Sequence, residues 1–213
     1  MFQFEGMDRR KEEDRIRAEG RLPPGQSLTQ KFPVLHYGPV PMFDAGTWDL
    51  RMWGEVEEEK RWSWAEFTQL PRTSIKMDLH CVTRWSKFDT AWEGISLKVL
   101  VKNDFIKIKS TATHVMQHAE YGFTVNLPLS VVLQDNFLLA THFNGEPITP
   151  DHGYPLRGMV GFIPGREDLE TPYLWKGAKW LRSLEFMARD KHGFWEQAGY
   201  HNRADVWREE RFG

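Results

Sequence analysis

The sequence predicts an irregular α+β domain that is rich in β-strands and contains only short helices. Short segments in which apolar and polar residues alternate recur along the chain, and this period of two is typical of half-buried strands. Loops rich in Gly and Pro separate these segments, and the sequence has no glycine-rich phosphate loop of the kind found in doubly wound sheets. A chain of 213 residues is long enough for one sizeable domain.

The N-terminal half begins with a charged run over residues 7–19, which predicts an exposed helix that a Pro-Pro-Gly sequence would end. Residues 33–41 are rich in proline and should be extended, because each Pro biases the preceding residue away from helix. Residues 48–53 alternate in part and are expected to form a strand. Residues 63–66 match a capping box and should begin a short helix.

The central and C-terminal parts continue this mixed pattern. Ile75, Met77 and Leu79 alternate with polar residues, so a strand should run into Cys81. A second strand is expected over residues 106–109, continuing toward Met116. The remaining predictions are a helical turn at 128–133, strands at 137–143, 156–162 and 180–186, and a turn at 144–145.

The composition is that of an ordinary globular protein, and it excludes some partners. A net charge of −2 gives no overall attraction to nucleic acid or to an anionic membrane surface, so neither is expected as a partner. A chain with one cysteine cannot form an intramolecular disulfide. The single cysteine and the lack of an apolar N-terminal signal segment together favour the cytoplasm as the expected location. Ten tryptophans indicate either a rigid core or a deep pocket for a flat ligand.

Cys81 is the most informative single residue. A lone cysteine is most often a small buried hydrophobic residue without a chemical role. Here His80, Arg84 and Lys87 are close in sequence. Positive neighbours lower the pKa of a thiol and favour the thiolate, which is the form that binds metals and attacks substrates.

Two further segments carry donor groups, His152–Arg157 and Lys176–Trp180. Their simplest interpretation is a turn, a strand and some surface lysines. Alternatively, the glycines allow close approach of a ligand to the backbone, while His, Arg and Lys supply hydrogen-bond donors. Donors of this kind suit a phosphate-bearing cofactor.

A zinc site built from His114, His118 and Cys81 is a less favoured alternative. A His-x-x-x-His pair could bind zinc if the segment were helical. The alternation of Ile106 and Ile108 predicts a strand instead, where positions four apart lie more than about 10 Å from one another.

Four segments, in the same order, resemble the molybdopterin-binding domain shared by sulfite oxidases, assimilatory nitrate reductases and the catalytic subunit of a bacterial methionine-sulfoxide reductase. The resemblance covers about residues 30–210, is closest to small haem-free bacterial proteins of the sulfite-oxidase-like type, and implies their fold. The matching segments are residues 32–41 with 47–54, Leu79–Cys81, His152–Arg157 with Lys176–Trp180, and 194–207. The third is similar to the family patterns HG-x-P-x-R and K-x-x-K-W, and the fourth to a W…Y…DPW pattern, with Asp205-Val-Trp207 at its end.

The resemblance implies two-electron oxygen-atom transfer on a small-molecule substrate, with molybdopterin and molybdenum as cofactors. Cys81 would be the thiolate ligand to molybdenum, and Arg84 would act beside it in catalysis. The residues expected to bind the cofactor, besides Cys81, are His36, Tyr37, His118, His152, Arg157, Gly177, Ala178 and Lys179.

The sequence departs from the family pattern in three ways. Only Arg84 and Lys87 follow the cysteine where sulfite oxidases have an arginine-rich loop, which weakens the case for sulfite as substrate. Residues 161–172 lengthen the connection before Lys176. The dimerisation domain of sulfite oxidase and a haem-attachment motif are both absent from this sequence, so a monomer with an external electron-transfer partner is expected.

The expected organisation is a charged helix and extended arm over residues 1–30, followed by the molybdopterin-binding oxidoreductase domain over residues 31–213. Two other functions remain as alternatives. The first is a non-catalytic molybdopterin-binding module, and the second, less favoured, is a Cys/His zinc hydrolase.

Overall fold

Two β-sheets, one N-terminal helix of 17 residues and several short helices make up the part of the chain that the computed structural model describes, residues 2–213. The predicted α+β class is confirmed. No helix within these residues combines the length and apolar character that a membrane crossing requires. The helices are α1 (Phe2–Ala18), α2 (Trp64–Phe67), α3 (Leu97–Lys102), α4 (Leu129–Val132) and α5 (Phe194–Gln197).

Eleven strands within the described residues form the two sheets. In chain order they are β1 (Ser27–Leu28), β2 (Asp49–Gly54), β3 (Lys60–Ser63), β4 (Thr73–His80), β5 (Trp85–Ile95), β6 (His114–Ala119), β7 (Thr124–Pro128), β8 (Phe137–Phe143), β9 (Glu146–Pro147), β10 (Arg157–Val160) and β11 (Leu181–Met187). In the first sheet, β5 pairs in parallel with β1 and antiparallel with β4 and β8, and β8 also pairs with β9 and β10. The second sheet has the order β3-β2-β11-β6-β7, in which only β2 and β11 are parallel.

The main hydrophobic core joins the two sheets. Ile95 and Leu139 contribute from the first sheet, and Leu50, Val115 and Leu184 contribute from the second. All five side chains are completely buried. The burial of apolar side chains in such a core is the dominant stabilising contribution to the folding of a domain of this size.

Several elements were predicted correctly because local signals determine them. The capping box is present, since the Ser63 hydroxyl accepts from the Glu66 amide and the Glu66 carboxylate accepts from the Ser63 amide. Asn144 and Gly145 have φ angles of 50° and 86°, as a two-residue hairpin requires. The charged N-terminal helix, the strands β2, β4, β8, β10 and β11, and the helical turn α4 are likewise confirmed.

One strand prediction over the middle of the chain is wrong, and one strand was missed. Residues 106–109 form no strand apart from one bridge between Ile108 and Val56, because the loop places Ile106 in the core. The longest strand, β5, was not predicted. The buried positions of β5 include Ser86 and Thr90, whose hydroxyls bond to the His80 ring and to a backbone carbonyl. Because these buried residues are polar, the strand lacks the alternation of apolar and polar residues that would predict it.

Both the N-terminal segment and the lengthened 161–172 connection are tied to the first sheet. The Arg21 guanidinium donates two hydrogen bonds, of 2.8 and 2.7 Å, to the buried Asp78 carboxylate on β4. The Asn136 side-chain amide donates to the carbonyls of Gly161 and Glu170, both at 2.9 Å. The connection therefore packs on the rest of the domain at its two ends.

A completely buried ion pair joins Lys176 to Glu196 of α5. The Lys176 Nζ lies 2.5 Å from Glu196 Oε1 and also donates to the backbone and side-chain oxygens of Asn126, both at 3.0 Å. Burial lowers the pKa of Lys176 and raises that of Glu196. The pair connects the loop before β11 to β7 and α5.

Removing one member of this pair should strongly destabilise the protein. Lys176→Met leaves a carboxylate buried without its cation, and the free energy of unfolding should fall by about 3–5 kcal/mol in urea titrations. The double variant Lys176→Met/Glu196→Leu should recover most of this loss. Lys98→Met, in the exposed pair with Asp135, is the matched control and should cost less than about 1 kcal/mol. A cost for Lys176→Met no larger than that of the control would contradict the assignment.

Candidate functional site

A cavity of about 360 Å³ opens at the turn that follows β4. Four separate segments contribute to its walls, namely residues 32–37, 81–85, 174–180 and 195–200. Phe123, His152 and Arg157 complete the lining. The cavity therefore brings together the cysteine and both of the donor segments that the sequence singled out.

Seven of the ten predicted site residues line this cavity, and three do not. The seven are His36, Tyr37, Cys81, His152, Arg157, Gly177 and Lys179. Arg84, His118 and Ala178 lie outside the lining.

The environment of the three outlying residues explains their position. The Arg84 side chain is 63% exposed, and its guanidinium lies 3.8 Å from the Glu209 carboxylate. His118 lies 2.8 Å from the Glu185 carboxylate. Ala178 is completely buried, and its amide donates to the Gln117 side chain at 3.1 Å.

Cys81 begins the tight turn between β4 and β5. Its amide donates to the Trp85 carbonyl at 2.9 Å, which closes a loop of three residues, 82–84. Arg84 adopts a left-handed conformation, with a φ of 71°, as the last residue of such a hairpin loop commonly does. The turn places the sulfur of Cys81 at the cavity wall with the residue only 6% exposed.

The sequence predicts a lowered pKa for Cys81, and this prediction is wrong for the ligand-free site. Burial raises the pKa of the thiol, because a thiolate loses hydration there. The Thr83 hydroxyl, 3.1 Å from the sulfur, and the Thr83 amide oppose this effect, as do the charges of Arg211 and Lys179. A metal ion bound at the sulfur would remove the proton outright.

Arg157, which is buried, and Lys179, which is half-buried, give the cavity its positive charge. Arg157 is 2% exposed and donates to the carbonyls of His152 and Gly158. No carboxylate among the described residues forms an ion pair with it, and burial lowers its pKa to about 9. Lys179 donates to the Asp151 carbonyl at 2.7 Å, and burial and then Arg157 lower its pKa to about 7. Cations held in this way favour an anionic ligand.

His152 lines the cavity and has a ring nitrogen without a hydrogen-bond partner in the described part of the chain. Its ring stacks on Phe32, with the ring centres 3.9 Å apart and an angle of 10° between the planes. Its Nδ1 is buried and finds no hydrogen-bond partner among residues 2–213. Burial and the nearby charge of Lys179 lower the pKa of His152 to about 4, so the ring is neutral at pH 7.

Gln117 holds the loop that carries Gly177, and sequence reasoning did not identify it. This completely buried side chain donates to the Lys176 carbonyl at 2.7 Å and accepts from the Ala178 amide. A Cβ atom on Gly177 would lie 2.2 Å from the Gly158 carbonyl oxygen, so only glycine fits there. In the sequence, Gln117 is one polar residue in a strand, with nothing to mark its partners.

Aromatic side chains form the remaining walls, as the number of tryptophans suggested. Trp85, Trp175, Trp180 and Trp195 line the cavity together with Tyr200. Flat walls, one thiol, an unpartnered histidine nitrogen, and one buried and one half-buried cation fit a flat, phosphate-bearing group with a thiolate-bound metal at its end.

The structure does not support the zinc alternative. Within the described range, no three His, Cys, Asp or Glu side chains lie close enough together to hold a metal ion. His118 is engaged by Glu185, and His114 lies 3.7 Å from Asp190. The zinc-hydrolase hypothesis therefore lacks a ligand set.

Comparison with known proteins identifies a family. Residues 37–195 match the family model described as the oxidoreductase molybdopterin binding domain. A relative named "Uncharacterized oxidoreductase YuiH", from Bacillus subtilis, is 42% identical over 91% of this chain and 92% of its own length.

More distant relatives share the domain within longer proteins. Sulfite oxidase of Arabidopsis thaliana is 23% identical over 78% of this chain, and the match spans 48% of that enzyme. A nitrate reductase of Hordeum vulgare is 24% identical, and the match spans 20% of its length. The crystal structure of the sulfane dehydrogenase SoxCD of Paracoccus pantotrophus matches 72% of this chain and 41% of its own, with a TM-score of 0.60 and 18% identity, which shows a common fold.

The depressed pKa of Lys179 should be measurable as a pH dependence of stability. The unfolded chain keeps the proton on this residue up to about pH 10.5, whereas the folded, ligand-free protein releases it near pH 7. Between these values the folded state binds fewer protons, so the free energy of unfolding should increase with pH across this window. The variant Lys179→Met should lack this increase in urea titrations at pH 6–10. Identical pH profiles for the two proteins would contradict the assignment.

Proposed function

This chain belongs to the sulfite-oxidase-like family of molybdopterin-binding oxidoreductases, and on that premise we propose that it catalyses two-electron oxygen-atom transfer on a small molecule, with Cys81 as the thiolate ligand to molybdenum. The observation that carries the proposal is one cavity that holds the thiol, a buried arginine and a half-buried lysine without ion-paired carboxylates in residues 2–213, and an unpartnered histidine nitrogen.

The family's cofactors are molybdopterin and molybdenum. Arg157 and Lys179 would hold the phosphate, because they supply the positive charge of the cavity lining. The unpartnered Nδ1 of His152 would bond to a polar atom of the pterin. His36 and Tyr37 would cover the pterin from the extended segment before β2.

When bound, the cofactor supplies the two-electron redox chemistry. The protein supplies a soft sulfur ligand at Cys81, whose orientation the turn fixes, and aromatic walls that limit the access of water. Electrons would be exchanged with an external redox partner, as expected from the sequence.

The two cations that follow Cys81 in sequence lie away from the cavity lining, which supports a substrate without the compact negative charge of sulfite. The guanidinium of Arg84 lies beside the Glu209 carboxylate, outside the cavity, and Lys87 donates to the Gln30 carbonyl at 2.7 Å. A tetrahedral oxyanion is best held by forked arginine contacts, and neither of these two side chains lines the cavity.

The sulfur of Cys81 should be essential for turnover. Purified, cofactor-replete protein should contain close to one molybdenum per chain by elemental analysis. Cys81→Ser should abolish oxygen-atom transfer and remove one sulfur neighbour from the X-ray absorption spectrum of molybdenum. Ser74→Ala, an exposed change on the same strand, is the matched control and should retain both properties. Protein without molybdenum, or an active Cys81→Ser variant, sinks the proposal.

A loaded protein that is inert toward sulfite, sulfoxides, N-oxides and nitrate would instead support the non-catalytic binding module.

Substrate charge should determine the activity. We expect kcat/KM for a neutral sulfoxide or N-oxide, assayed with a reduced dye as electron donor, to exceed by at least about tenfold that for nitrate with the same donor and that for sulfite with an oxidised dye as electron acceptor, since one charge-assisted hydrogen bond contributes about 1.5–3 kcal/mol. Thr83→Arg, which adds a guanidinium to the cavity wall beside the thiol, should raise kcat/KM for sulfite. A wild-type preference for sulfite would refute this part of the proposal and leave the molybdenum assignment intact.

A further inference from the structure

The two ends of the chain converge on the turn that carries Cys81. The Gln26 side chain donates to the Cys81 carbonyl at 3.0 Å, and the Arg211 guanidinium donates to the Val82 carbonyl at 2.6 Å. Both donor residues are buried, at 4% and 6% exposure, and both lie outside residues 37–195, which match the family model. The geometry of the thiol therefore depends on segments at the two ends of the chain.

The peptide unit between Val82 and Thr83 connects Arg211 to the sulfur. Its carbonyl oxygen accepts from Arg211 Nη1, and its nitrogen belongs to Thr83, whose hydroxyl lies 3.1 Å from the Cys81 sulfur. A peptide unit is planar and rigid and includes the Cα atom of Thr83, so a contact that fixes its C=O also fixes the backbone atom that carries the Thr83 side chain.

Arg211 is buried and its guanidinium has few polar partners, which packing alone does not explain. Its guanidinium lies over the Tyr173 ring, 4.8 Å from the centre, and its Nη2 is 3.7 Å from the exposed Glu209 carboxylate. In the described structure its Nε and Nη2 have no hydrogen-bond partner. The contact with Val82 is thus the one hydrogen bond that its guanidinium makes there. A buried cation with so few partners is costly to maintain.

We propose that Arg211 is a positioning residue for the metal-binding thiolate: it fixes the Val82–Thr83 peptide, and with it the position of Thr83, whose hydroxyl faces the Cys81 sulfur, and it adds positive charge behind that peptide. This inference rests on the proposed function, because it requires the sulfur of Cys81 to be the metal ligand. Arg211 acts through the peptide and touches neither substrate nor cofactor. In agreement with this role, its charge opposes the rise that burial causes in the pKa of the thiol.

The expected consequence is a change in the redox properties of the centre. Hydrogen bonds to a ligating sulfur withdraw electron density from it and raise the reduction potential of the metal. Removal of Arg211 frees the peptide to rotate and removes a positive charge, and both changes make the sulfur a stronger electron donor. The midpoint potential should therefore become more negative.

The test uses the molybdenum-loaded protein in redox titrations followed by electron paramagnetic resonance. Arg211→Met should shift the midpoint potential to a more negative value, and Arg211→Lys, which keeps the charge and a donor, should recover most of the shift. Arg208→Met is the matched control, because Arg208 lies on the same segment, is 66% exposed and carries the same charge. Its potential should equal that of the unaltered protein.

Each outcome decides the inference. An unchanged potential in loaded Arg211→Met, even with reduced stability or molybdenum content, would show a merely structural role and overturn it. If Arg211→Met does not fold, Arg211→Gln replaces it, since glutamine keeps an N–H donor but loses the charge, and an unchanged potential again overturns the inference. Unaltered protein that lacks molybdenum, or lacks a sulfur ligand from Cys81, overturns the proposed function itself. The two failures are thus distinguishable.

Discussion

The hydrogen bond between the Cys81 amide and the Trp85 carbonyl closes the hairpin on which the site depends. β4 and β5 are both extensively paired, and β5 is bonded to β1 and β8 as well as to β4. The register of the first sheet therefore determines where the sulfur lies. A shift of one residue in the pairing of β4 with β5 would displace the turn that carries Cys81. Sheet pairing, more than any contact of the sulfur itself, fixes the sulfur in place.

The positive charge of the cavity connects binding to stability. Arg157 and Lys179 keep no carboxylate partner in residues 2–213, and burial lowers the pKa of each. In the ligand-free protein these groups oppose folding, because a buried cation loses its hydration. An anionic cofactor supplies the missing charge, so the property that weakens the ligand-free fold is the same one that favours binding. Strain and unsatisfied charge concentrated at a site are typical of functional positions.

Local signals made much of the fold predictable, whereas the long-range polar contacts could not be predicted from the sequence. The capping box at Ser63 and the Asn144–Gly145 turn are each determined by a few adjacent residues, and both were predicted correctly. β5 was missed because Ser86 and Thr90 occupy buried positions and bond to partners elsewhere in the sheet. Gln117 bridges Lys176 and Ala178 across about sixty positions of sequence, and such a contact leaves no local pattern.

The charges around the thiol show why proximity in sequence misleads. Arg84 and Lys87 follow Cys81 closely, yet the left-handed conformation of Arg84 and the Lys87–Gln30 contact keep both cations out of the cavity lining. The cations that act on the sulfur come from Lys179, which precedes β11, and from Arg211 near the C-terminus. A hairpin turn presents successive side chains in different directions, so neighbours in sequence diverge while distant segments converge on the turn. The electrostatic environment of the thiol is therefore a property of the assembled fold, and residues far from the cysteine in sequence set it.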